Sequence, residues 1–221
     1  MLAGMDEMSQ GAGRPIYLLG AHPNWRESRV NRRLYEAAQA TRGLEVRDLF
    51  ASYPDYDIDV AREQEAVAKA DLVVLLHPVQ WYSMPALLKL WLDEVLSYGW
   101  AYGPGGQALQ GKDLWLVAST GGPESSYHPQ GYNRYFFDAF MPPYEQTAAL
   151  CGMRFLPPLV LHGAHRVPQD ELLAHAQVFA QRLASYPDWP ELEDLDGCPA
   201  CVVPTSDRPA SLIPEEAQAA T

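Results

Sequence analysis

The most regular hydrophobic pattern in the chain lies between residues 71 and 106. Residues 72–76 (LVVLL) form an unbroken apolar run of strand length, which is typical of a parallel strand covered on both faces. His77-Pro78 ends this strand, because proline has no backbone N–H for the ladder. From Met84 to Leu96 the apolar residues recur at helical spacing. This spacing predicts an amphipathic helix that begins near Ser83.

Short apolar runs and helical patterns alternate along the rest of the chain. Strands are expected at residues 16–20, 44–49, 113–118 and 159–162, and helices at 28–41, 59–69, 132–151 (with a break near Pro142-Pro143) and 168–185. Strands that alternate with helices predict an α/β fold, in the form of a doubly wound parallel sheet with helices on both faces. Ligands of such sheets bind in the crevice beyond the carboxyl ends of the strands.

The two ends of the chain lack this alternation. Residues 1–14 are expected to form a disordered leader, and residues 186–221 an extended or disordered tail that is acidic and rich in proline. The tail holds eight of the 28 acidic residues and only one basic residue, Arg208. One domain is therefore expected between residues 15 and 185.

The charge and the length of the apolar runs restrict the function. A net charge of −12 makes nucleic acid an unfavourable partner, and no apolar run approaches the roughly 18 residues of a membrane span. The N-terminal residues lack the basic and hydrophobic regions of a signal peptide. Three cysteines are no disulfide framework. A cytoplasmic location is expected.

Polar and basic residues surround the expected start of the first helix. His22, Ser28 and Asn31 lie there, together with the arginines Arg26, Arg29, Arg32 and Arg33. A helix N-terminus offers free N–H groups and a positive dipole, so it can hold a phosphate without a glycine motif. The same arginines also fit a basic, solvated helix face. This segment alone leaves both interpretations open.

Two further loops follow buried strands at the same edge of the expected sheet. Residues 80–82 (QWY) supply an aromatic wall, and residues 119–122 (STGG) hold two glycines that let the backbone approach a flat ligand. Either loop alone also fits an ordinary turn. Together with the helix start, they suit a mononucleotide that has a phosphate and a flat ring.

The chain resembles the flavodoxin-like NAD(P)H:quinone reductases, and among them the ancillary subunits of bacterial glutathione-regulated potassium-efflux systems. The matching motifs span about residues 15–183 and are AHP with Ser28 and Asn31, HPVQWYSMPALLKLWLDEVLSYGWAYGPGG, STGG and LCGMRFLPPLVLHGA. The resemblance implies a flavodoxin-like fold and a bound FMN, with FAD as the alternative. It also implies NAD(P)H as co-substrate and two-electron reduction of quinones.

The resemblance further assigns residues to the flavin. It places the phosphate at His22, Ser28, Arg29, Val30 and Asn31, and the ring at Pro78, Val79, Gln80, Trp81, Ser119, Thr120, Gly121 and Gly122. The longer quinone reductases also follow the STGG-like loop with a tyrosine and, six residues later, a histidine, which assist hydride transfer. Tyr127 takes the tyrosine's place, whereas Asn133 stands at the histidine's. Asparagine donates hydrogen bonds but cannot shuttle a proton, so this chain departs from the family at that point.

Two functions remain open from the sequence. The first is an NAD(P)H dehydrogenase that reduces quinones. The second is a flavin-binding regulatory subunit that docks on a membrane potassium/proton antiporter, at the inner face of the cell membrane, with incidental redox activity. A homodimer is expected in either case, because family sites lie at the subunit contact and because one small sheet would leave part of a large aromatic load exposed. The residues of this load are Trp91, Trp100, Tyr102 and Tyr135.

The remaining cysteine and histidine patterns predict no metal site. Cys198 and Cys201 supply half of a zinc site, and Cys151 is the only other cysteine, whereas structural zinc needs four ligands. His162 and His165 are interpreted as the end of a strand rather than as a pair of ligands.

Overall fold

A parallel five-stranded sheet with helices on both faces forms the molecule. The computed structural model describes residues 14–192 and Leu195. The strands are β1 (Ile16–Gly20), β2 (Leu44–Asp48), β3 (Leu72–Pro78), β4 (Asp113–Ser119) and β5 (Arg154–Leu161). Their order in the sheet is β2-β1-β3-β4-β5, and every neighbouring pair is parallel. The predicted fold class, a flavodoxin-like doubly wound sheet, is confirmed.

Within residues 14–192, six α-helices cover the sheet. They are α1 (Val30–Ala40), α2 (Leu49–Ser52), α3 (Val60–Lys69), α4 (Ala86–Val95), α5 (Pro142–Leu150) and α6 (Gln169–Ser185). Short 3-10 turns occur at Glu124–Ser126, Phe137–Phe140 and Pro190–Leu192. Across the described part of the chain, no helix combines the length and the apolar character that crossing a membrane requires.

Alternate residues of each strand pack on opposite faces of the sheet. In β3, Val73 and Leu75 contact the core under α3, α4 and α5, whereas Leu72 and Val74 contact the core under α1 and α6. Because both faces are covered, the central strands are apolar throughout. The largest side chain in the core under α3, α4 and α5 is that of Trp91, which is 1% exposed. Trp91 therefore does not belong to an exposed aromatic load, and that part of the expectation is wrong.

Several element boundaries differ from the predicted ones. β3 continues through His77-Pro78, which was expected to end it, and α4 begins at Ala86 rather than near Ser83. The helix expected over residues 132–151 forms only from Pro142 to Leu150, because Pro142 and Pro143 suit a first helical turn and cannot continue an existing helix. The last strand begins at Arg154 rather than at residue 159. It runs through Pro157-Pro158, which an edge strand tolerates since one of its sides needs no ladder donors.

The first residues of the segment assigned to the tail pack onto the domain. Tyr186, Trp189 and Leu192 are buried in the core under α1 and α6. The indole N–H of Trp189 donates to the carbonyl of Arg182 in α6 at 2.8 Å. The leader at residues 1–13 and the tail at 193–194 and 196–221, including Cys198 and Cys201, lie outside the described residues.

Candidate functional site

The candidate site lies at the carboxyl ends of β1, β3 and β4, where the order of the sheet reverses. The loops after these strands enclose a cavity of about 330 Å³, which we call the inner cavity. All residues that the sequence assigned to the flavin line it, except Trp81 and Gly122. They are His22, Ser28, Arg29, Val30, Asn31, Pro78, Val79, Gln80, Ser119, Thr120 and Gly121.

The start of α1 forms one end of the inner cavity. The buried Ser28 hydroxyl oxygen accepts a hydrogen bond from the backbone N–H of Arg32 at 3.2 Å, so the hydroxyl proton stays available for a further acceptor. The first N–H groups of a helix have no acceptor within the helix and carry the positive end of its dipole. This end of the cavity therefore suits an anion.

Two side chains next to this helix start add donors. His22 Nδ1 accepts from the backbone N–H of Asn24 at 3.0 Å. Burial lowers the pKa of His22, so the neutral ring carries its proton on Nε2 and can donate from there. Arg29 donates from Nη2 to the carbonyl of Val167 at 2.9 Å, which ties the loop to the residues before α6. Glu27 also lines this cavity, although the sequence patterns did not single it out.

The arginines near the start of α1 divide between the two interpretations. Arg29 lines the inner cavity. Arg32 and Arg33 instead pair with Glu36 at 3.8 Å on the exposed face of the helix. Exposed pairs of this kind contribute little to stability. The position of Arg29 is compatible with the anion-binding interpretation, whereas the solvated-face interpretation applies to Arg32 and Arg33.

Asn31 supplies a buried amide with an unused atom. The side chain is 2% exposed, and its Nδ2 donates to the hydroxyl of Ser119 at 2.9 Å. Among the described residues none donates to its Oδ1. The serine hydroxyl can donate as well as accept, so rotating the amide would leave an N–H group free instead. Buried polar atoms are rarely left without a partner, and a ligand in this cavity would provide one.

The loop after β3 forms a tight hairpin with an unusual backbone. Gln80 and Ser83 exchange two backbone hydrogen bonds, at 2.9 and 3.0 Å. Between them, Trp81 has φ 49° and Tyr82 has φ 65°. Two positive φ values define a type I′ turn, which favours asparagine and glycine over bulky aromatic residues. Strain of this kind concentrates at ligand sites, and here it presents two aromatic side chains beside the cavity.

A buried histidine holds the base of this hairpin. His77 Nδ1 lies 2.9 Å from the carbonyl oxygen of Pro78, which can only accept, so Nδ1 carries the proton. Nε2 then accepts from the hydroxyl of Tyr144 in α5 at 3.2 Å. Burial lowers the pKa of His77 to about 4, so the ring is neutral near pH 7. His77 thus links the hairpin to α5 without placing a charge in the core.

The STGG loop is bound to the loop after β5, which the sequence patterns did not connect with the site. Ala164 N–H donates to the carbonyl of Thr120, and Gly163 N–H to that of Gly122, both at 2.8 Å. A Cβ atom on Gly121 would lie 3.3 Å from Nε2 of His165. Ala164 and His165 line the inner cavity. Their position after a strand at the same sheet edge was the only signal for them.

A second, aromatic cavity adjoins the inner one at Val79. This outer cavity measures about 510 Å³, and its lining residues are Val79, Trp81, Tyr82, Gly122, Pro123, Ser126, Tyr127, Tyr132 and Asn133. Both predicted catalytic residues, Tyr127 and Asn133, lie in it. Burial raises the pKa of Tyr127, so its phenol keeps its proton and can donate a hydrogen bond.

Asn133 bridges the walls of the outer cavity. Its Nδ2 donates to the hydroxyl of Ser126 at 3.1 Å, and its Oδ1 accepts from the hydroxyl of Tyr82 at 3.3 Å. Its amide is therefore engaged on both sides. These contacts give Asn133 a place in the structure of the cavity, while an amide still cannot carry a proton between groups.

Comparison with known proteins connects this geometry to one family. A family described as having a flavodoxin-like fold matches residues 15–183. The glutathione-regulated potassium-efflux system ancillary protein KefF of Citrobacter koseri is 44% identical over 171 residues, which are 77% of this chain and 96% of that protein. KefF of Klebsiella aerogenes is 46% identical over 176 residues, which are 80% of this chain and 97% of that protein.

Solved structures with this fold carry different descriptions. General stress protein 14 from Treponema denticola, in complex with FMN, has a TM-score of 0.72 and 36% identity over 77% of this chain and 97% of its own. An NADPH-quinone reductase from P. pentosaceus has a TM-score of 0.70 and 26% identity, over 78% of this chain and 98% of its own. A structure described as a thermophilic tryptophan halogenase from Streptomycin violaceusniger has a TM-score of 0.73 and 39% identity, over 76% of this chain and 97% of its own. The fold alone therefore does not determine the reaction.

Proposed function

The chain belongs to the family with the flavodoxin-like fold, and we propose that it is a flavoenzyme that reduces quinones by two electrons with bound FMN and NAD(P)H. One observation carries this proposal: the inner cavity, which contains the start of α1, adjoins at Val79 the aromatic outer cavity that holds Tyr127. The FMN complex and the quinone reductase among the structural neighbours support it. FMN rather than FAD is favoured by the neighbour that binds FMN.

The residues of the inner cavity fit a flavin mononucleotide. The phosphate would accept from the N–H groups at the start of α1, from the Ser28 hydroxyl and from His22 Nε2, beside the positive charge of Arg29. The amide atom of Asn31 that has no partner among the described residues would provide a further polar contact. The ring would lie along the backbone of residues 78–80 and 119–122, where the glycines allow a close approach.

The bound flavin would pass two electrons from NAD(P)H to the quinone, since the cofactor supplies this chemistry and the protein positions it. Trp81 and Tyr82 would wall the outer cavity, where nicotinamide and quinone would bind in turn. Tyr127 would donate its O–H to negative charge that develops at the edge of the ring, a form of stabilisation that acts mainly in the transition state.

We further propose a homodimer. Two aromatic side chains that line the outer cavity stay exposed in a single chain, Trp81 at 95% and Tyr132 at 89%, and Tyr135, three residues after Tyr132, is 61% exposed. Aromatic residues are enriched in the cores of protein interfaces. A second copy of the chain would cover this surface and complete the walls of the cavity. Light scattering at micromolar concentration should give the mass of a dimer, and the mass of a monomer would refute this proposal.

The second candidate function is that of a flavin-binding regulatory subunit of a potassium/proton antiporter. The KefF relatives, which are named as ancillary proteins of a potassium-efflux system, favour it. In that case the protein would act in the cytoplasm, at the inner face of the cell membrane. Steady-state NAD(P)H oxidation with a soluble quinone tests the enzyme. A flavin-loaded protein that shows no such turnover but co-purifies with antiporter-containing membranes would favour the regulatory subunit.

Exchanging Tyr127 for phenylalanine tests the chemical role directly. Tyr127→Phe keeps the ring and removes the donor, so we expect flavin reduction by saturating NAD(P)H to slow by roughly tenfold to a thousandfold. Flavin affinity should change little. Stopped-flow absorbance gives the rate, and a fluorescence titration gives the affinity. A variant that reduces its flavin as fast as the parent would show that Tyr127 only covers the cavity.

A further inference from the structure

A row of three aromatic rings connects the loop between β1 and α1 to the core. Trp25 contacts both of the other rings, with its ring centroid 5.3 Å from that of His22 and 4.6 Å from that of Tyr35. Tyr35 lies in α1 and packs against the core under α1 and α6. His22, at the other end of the row, lines the inner cavity. We call these residues, His22, Trp25 and Tyr35, the aromatic stack.

The last residue of β1 leaves room for the aromatic stack. A Cβ atom on Gly20 would lie 2.7 Å from Cδ2 and Cε2 of Tyr35 and 3.1 Å from Cζ2 of Trp25. Carbon atoms in favourable contact are about 3.5–4.0 Å apart, so a side chain at this position would displace the rings. Because glycine has no Cβ, both rings lie directly against the end of the strand.

Ring contacts, rather than a hydrogen bond, hold the indole of Trp25. The residue is half-buried, and its buried Nε1 has no acceptor in the part of the chain that the structure describes. A buried indole N–H usually has a partner, so hydrogen bonding does not explain a tryptophan at this position. Its flat face does, because aromatic pairs at these distances attract each other beyond the effect of the area that they bury.

The aromatic stack restricts the orientation of His22. The imidazole has one polar anchor, Nδ1, which accepts from the backbone N–H of Asn24 at 3.0 Å. This hydrogen bond fixes one atom of the ring, and contact with Trp25 restricts the ring plane. Together they set the direction of Nε2. The carbonyl of Trp25 also accepts from the backbone N–H of Ser28 at 3.2 Å. Trp25 thus supports two of the residues assigned to the phosphate.

We infer that Trp25 is a positioning residue for His22 and holds the imidazole in the orientation that suits the phosphate of FMN. Trp25 belongs to neither cavity lining, so it acts through His22. The inference rests on the proposed function, in which His22 Nε2 donates to that phosphate. Riboflavin lacks the phosphate, so loss of the stack should weaken FMN binding and leave riboflavin binding nearly unchanged. A role in packing alone would weaken the binding of both ligands equally.

Two substitutions at Trp25 separate the ring face from packing. Trp25→Leu keeps an apolar side chain and removes the flat face, whereas Trp25→Phe keeps an aromatic face and loses no hydrogen bond. We expect Trp25→Leu to lower the ratio of FMN affinity to riboflavin affinity about fivefold to tenfold, the effect of one or two aromatic contacts. Trp25→Phe should stay within about twofold of the parent. Calorimetric titration of the cofactor-free proteins gives both affinities.

Substitutions at the two ends of the stack extend this test. His22→Phe keeps a ring against Trp25 and removes the Nε2 donor. In that background Trp25→Leu should change the affinity ratio by less than about twofold, because the two residues act in one chain of contacts. Tyr35→Leu breaks the stack at its other end. It should lower the ratio in the same direction as Trp25→Leu, so it tests the inference even if Trp25→Leu does not fold.

Hydrogen exchange tests the stack without any cofactor. The backbone N–H groups of Asn24 and Ser28 donate hydrogen bonds within the loop. In Trp25→Leu both should exchange about fivefold to tenfold faster, because the loop opens more often. In Trp25→Phe their rates should stay within about twofold of the parent. The amide of Val74 in the central strand β3 should not change and provides the internal control.

Circular dichroism shows whether each variant is folded. The inference is overturned if folded Trp25→Leu keeps the affinity ratio of the parent or leaves the exchange of the loop amides unchanged. It is also overturned if Trp25→Phe loses as much of the ratio as Trp25→Leu, or if Trp25→Leu lowers the ratio equally in the His22→Phe background. A parent protein that binds neither flavin would instead refute the proposed function.

Discussion

Two buried polar side chains, Glu63 and Asn31, differ in how many of their hydrogen-bonding atoms have a partner. The carboxylate of Glu63 in α3 is fully buried, and several donors surround it. It accepts from the hydroxyls of Tyr17 and Tyr53, from the indole N–H of Trp91 at 2.8 Å and from Arg47 Nε at 3.1 Å. We call these five residues the Glu63 cluster.

Asn31 is nearly as deeply buried, yet its amide has a single partner, the hydroxyl of Ser119. Among the described residues, nothing contacts its Oδ1 as a donor. A buried carboxylate without partners would be very costly, so a fold that keeps one must surround it with donors. A neutral amide costs less to leave half-satisfied. The difference indicates that Glu63 serves the fold, and it supports the proposal that Asn31 serves a ligand.

The largest expected effect is on stability, at Glu63. Glu63→Gln keeps the shape of the side chain but removes the charge that faces Arg47 and presents an N–H group to the donors. Breaking a buried ion pair from one side typically costs about 3–5 kcal/mol, so we expect a loss of roughly 3 kcal/mol in the free energy of unfolding. Urea unfolding measures it.

Glu65, two residues along the same helix, supplies the matched control for this experiment. It pairs with Lys69 on the exposed face, where both side chains are about two-thirds exposed. Glu65→Gln should change the free energy of unfolding by less than about 0.5 kcal/mol. Equal losses at Glu63 and Glu65 would contradict the structural role of the Glu63 cluster.

A smaller effect, on binding rather than stability, is expected at Asn31. Asn31→Leu has a similar shape and removes an amide that the cofactor-free fold only half satisfies. Its free energy of unfolding should change by no more than about 1 kcal/mol. FMN affinity should fall about tenfold to a hundredfold, because the rotated amide would donate its free N–H to the FMN phosphate, and a hydrogen bond to a charged group contributes roughly 1.5–3 kcal/mol. Chemical unfolding and a fluorescence titration give the two values. A large loss of stability at unchanged FMN affinity would show that Asn31, like Glu63, serves the fold.

The sequence predicts the Asn31 side of this comparison far better than the Glu63 side. Asn31 lies in the first turn of α1, beside the loop that follows the buried strand β1, and the edge where parallel strands end is a known place for ligands. Glu63 occurs in a helix, among residues that are typical of a solvated face. Its partners come from β1, β2, the end of α2 and α4, so only the packed fold brings them together. Periodicity contains no information about such contacts.

The same distinction, between patterns along the sequence and contacts that form only in the packed fold, explains which other features could be predicted. The apolar runs that became β1, β3 and β4 were visible, because burial on both faces leaves an unbroken pattern. The contribution of Ala164 and His165 to the site was not visible in the sequence. It depends on backbone hydrogen bonds between two loops that are about 40 residues apart in sequence. The left-handed backbone of Trp81 and Tyr82 was also hidden, because neither residue type favours it.

The smallest expected effect concerns that hairpin and has opposite signs for stability and function. Replacing Trp81 by asparagine and Tyr82 by glycine installs the residues that a type I′ turn prefers. We expect the protein to gain about 1 kcal/mol in free energy of unfolding from relief of backbone strain. Quinone reduction should weaken, because the aromatic wall of the outer cavity is lost. Thermal unfolding and steady-state kinetics test both parts, and a variant that is less stable than the parent would show that the turn is unstrained.

The measurement that tests the central claim most directly is a calorimetric titration of the cofactor-free protein with FMN and, separately, with riboflavin. The two ligands share the flavin ring and differ in the phosphate that the start of α1 is proposed to hold. We predict one FMN per chain and riboflavin binding that is at least about a hundredfold weaker, since a phosphate with several charge-assisted hydrogen bonds contributes at least about 3 kcal/mol. A protein that binds neither ligand, or binds both equally, would contradict the account.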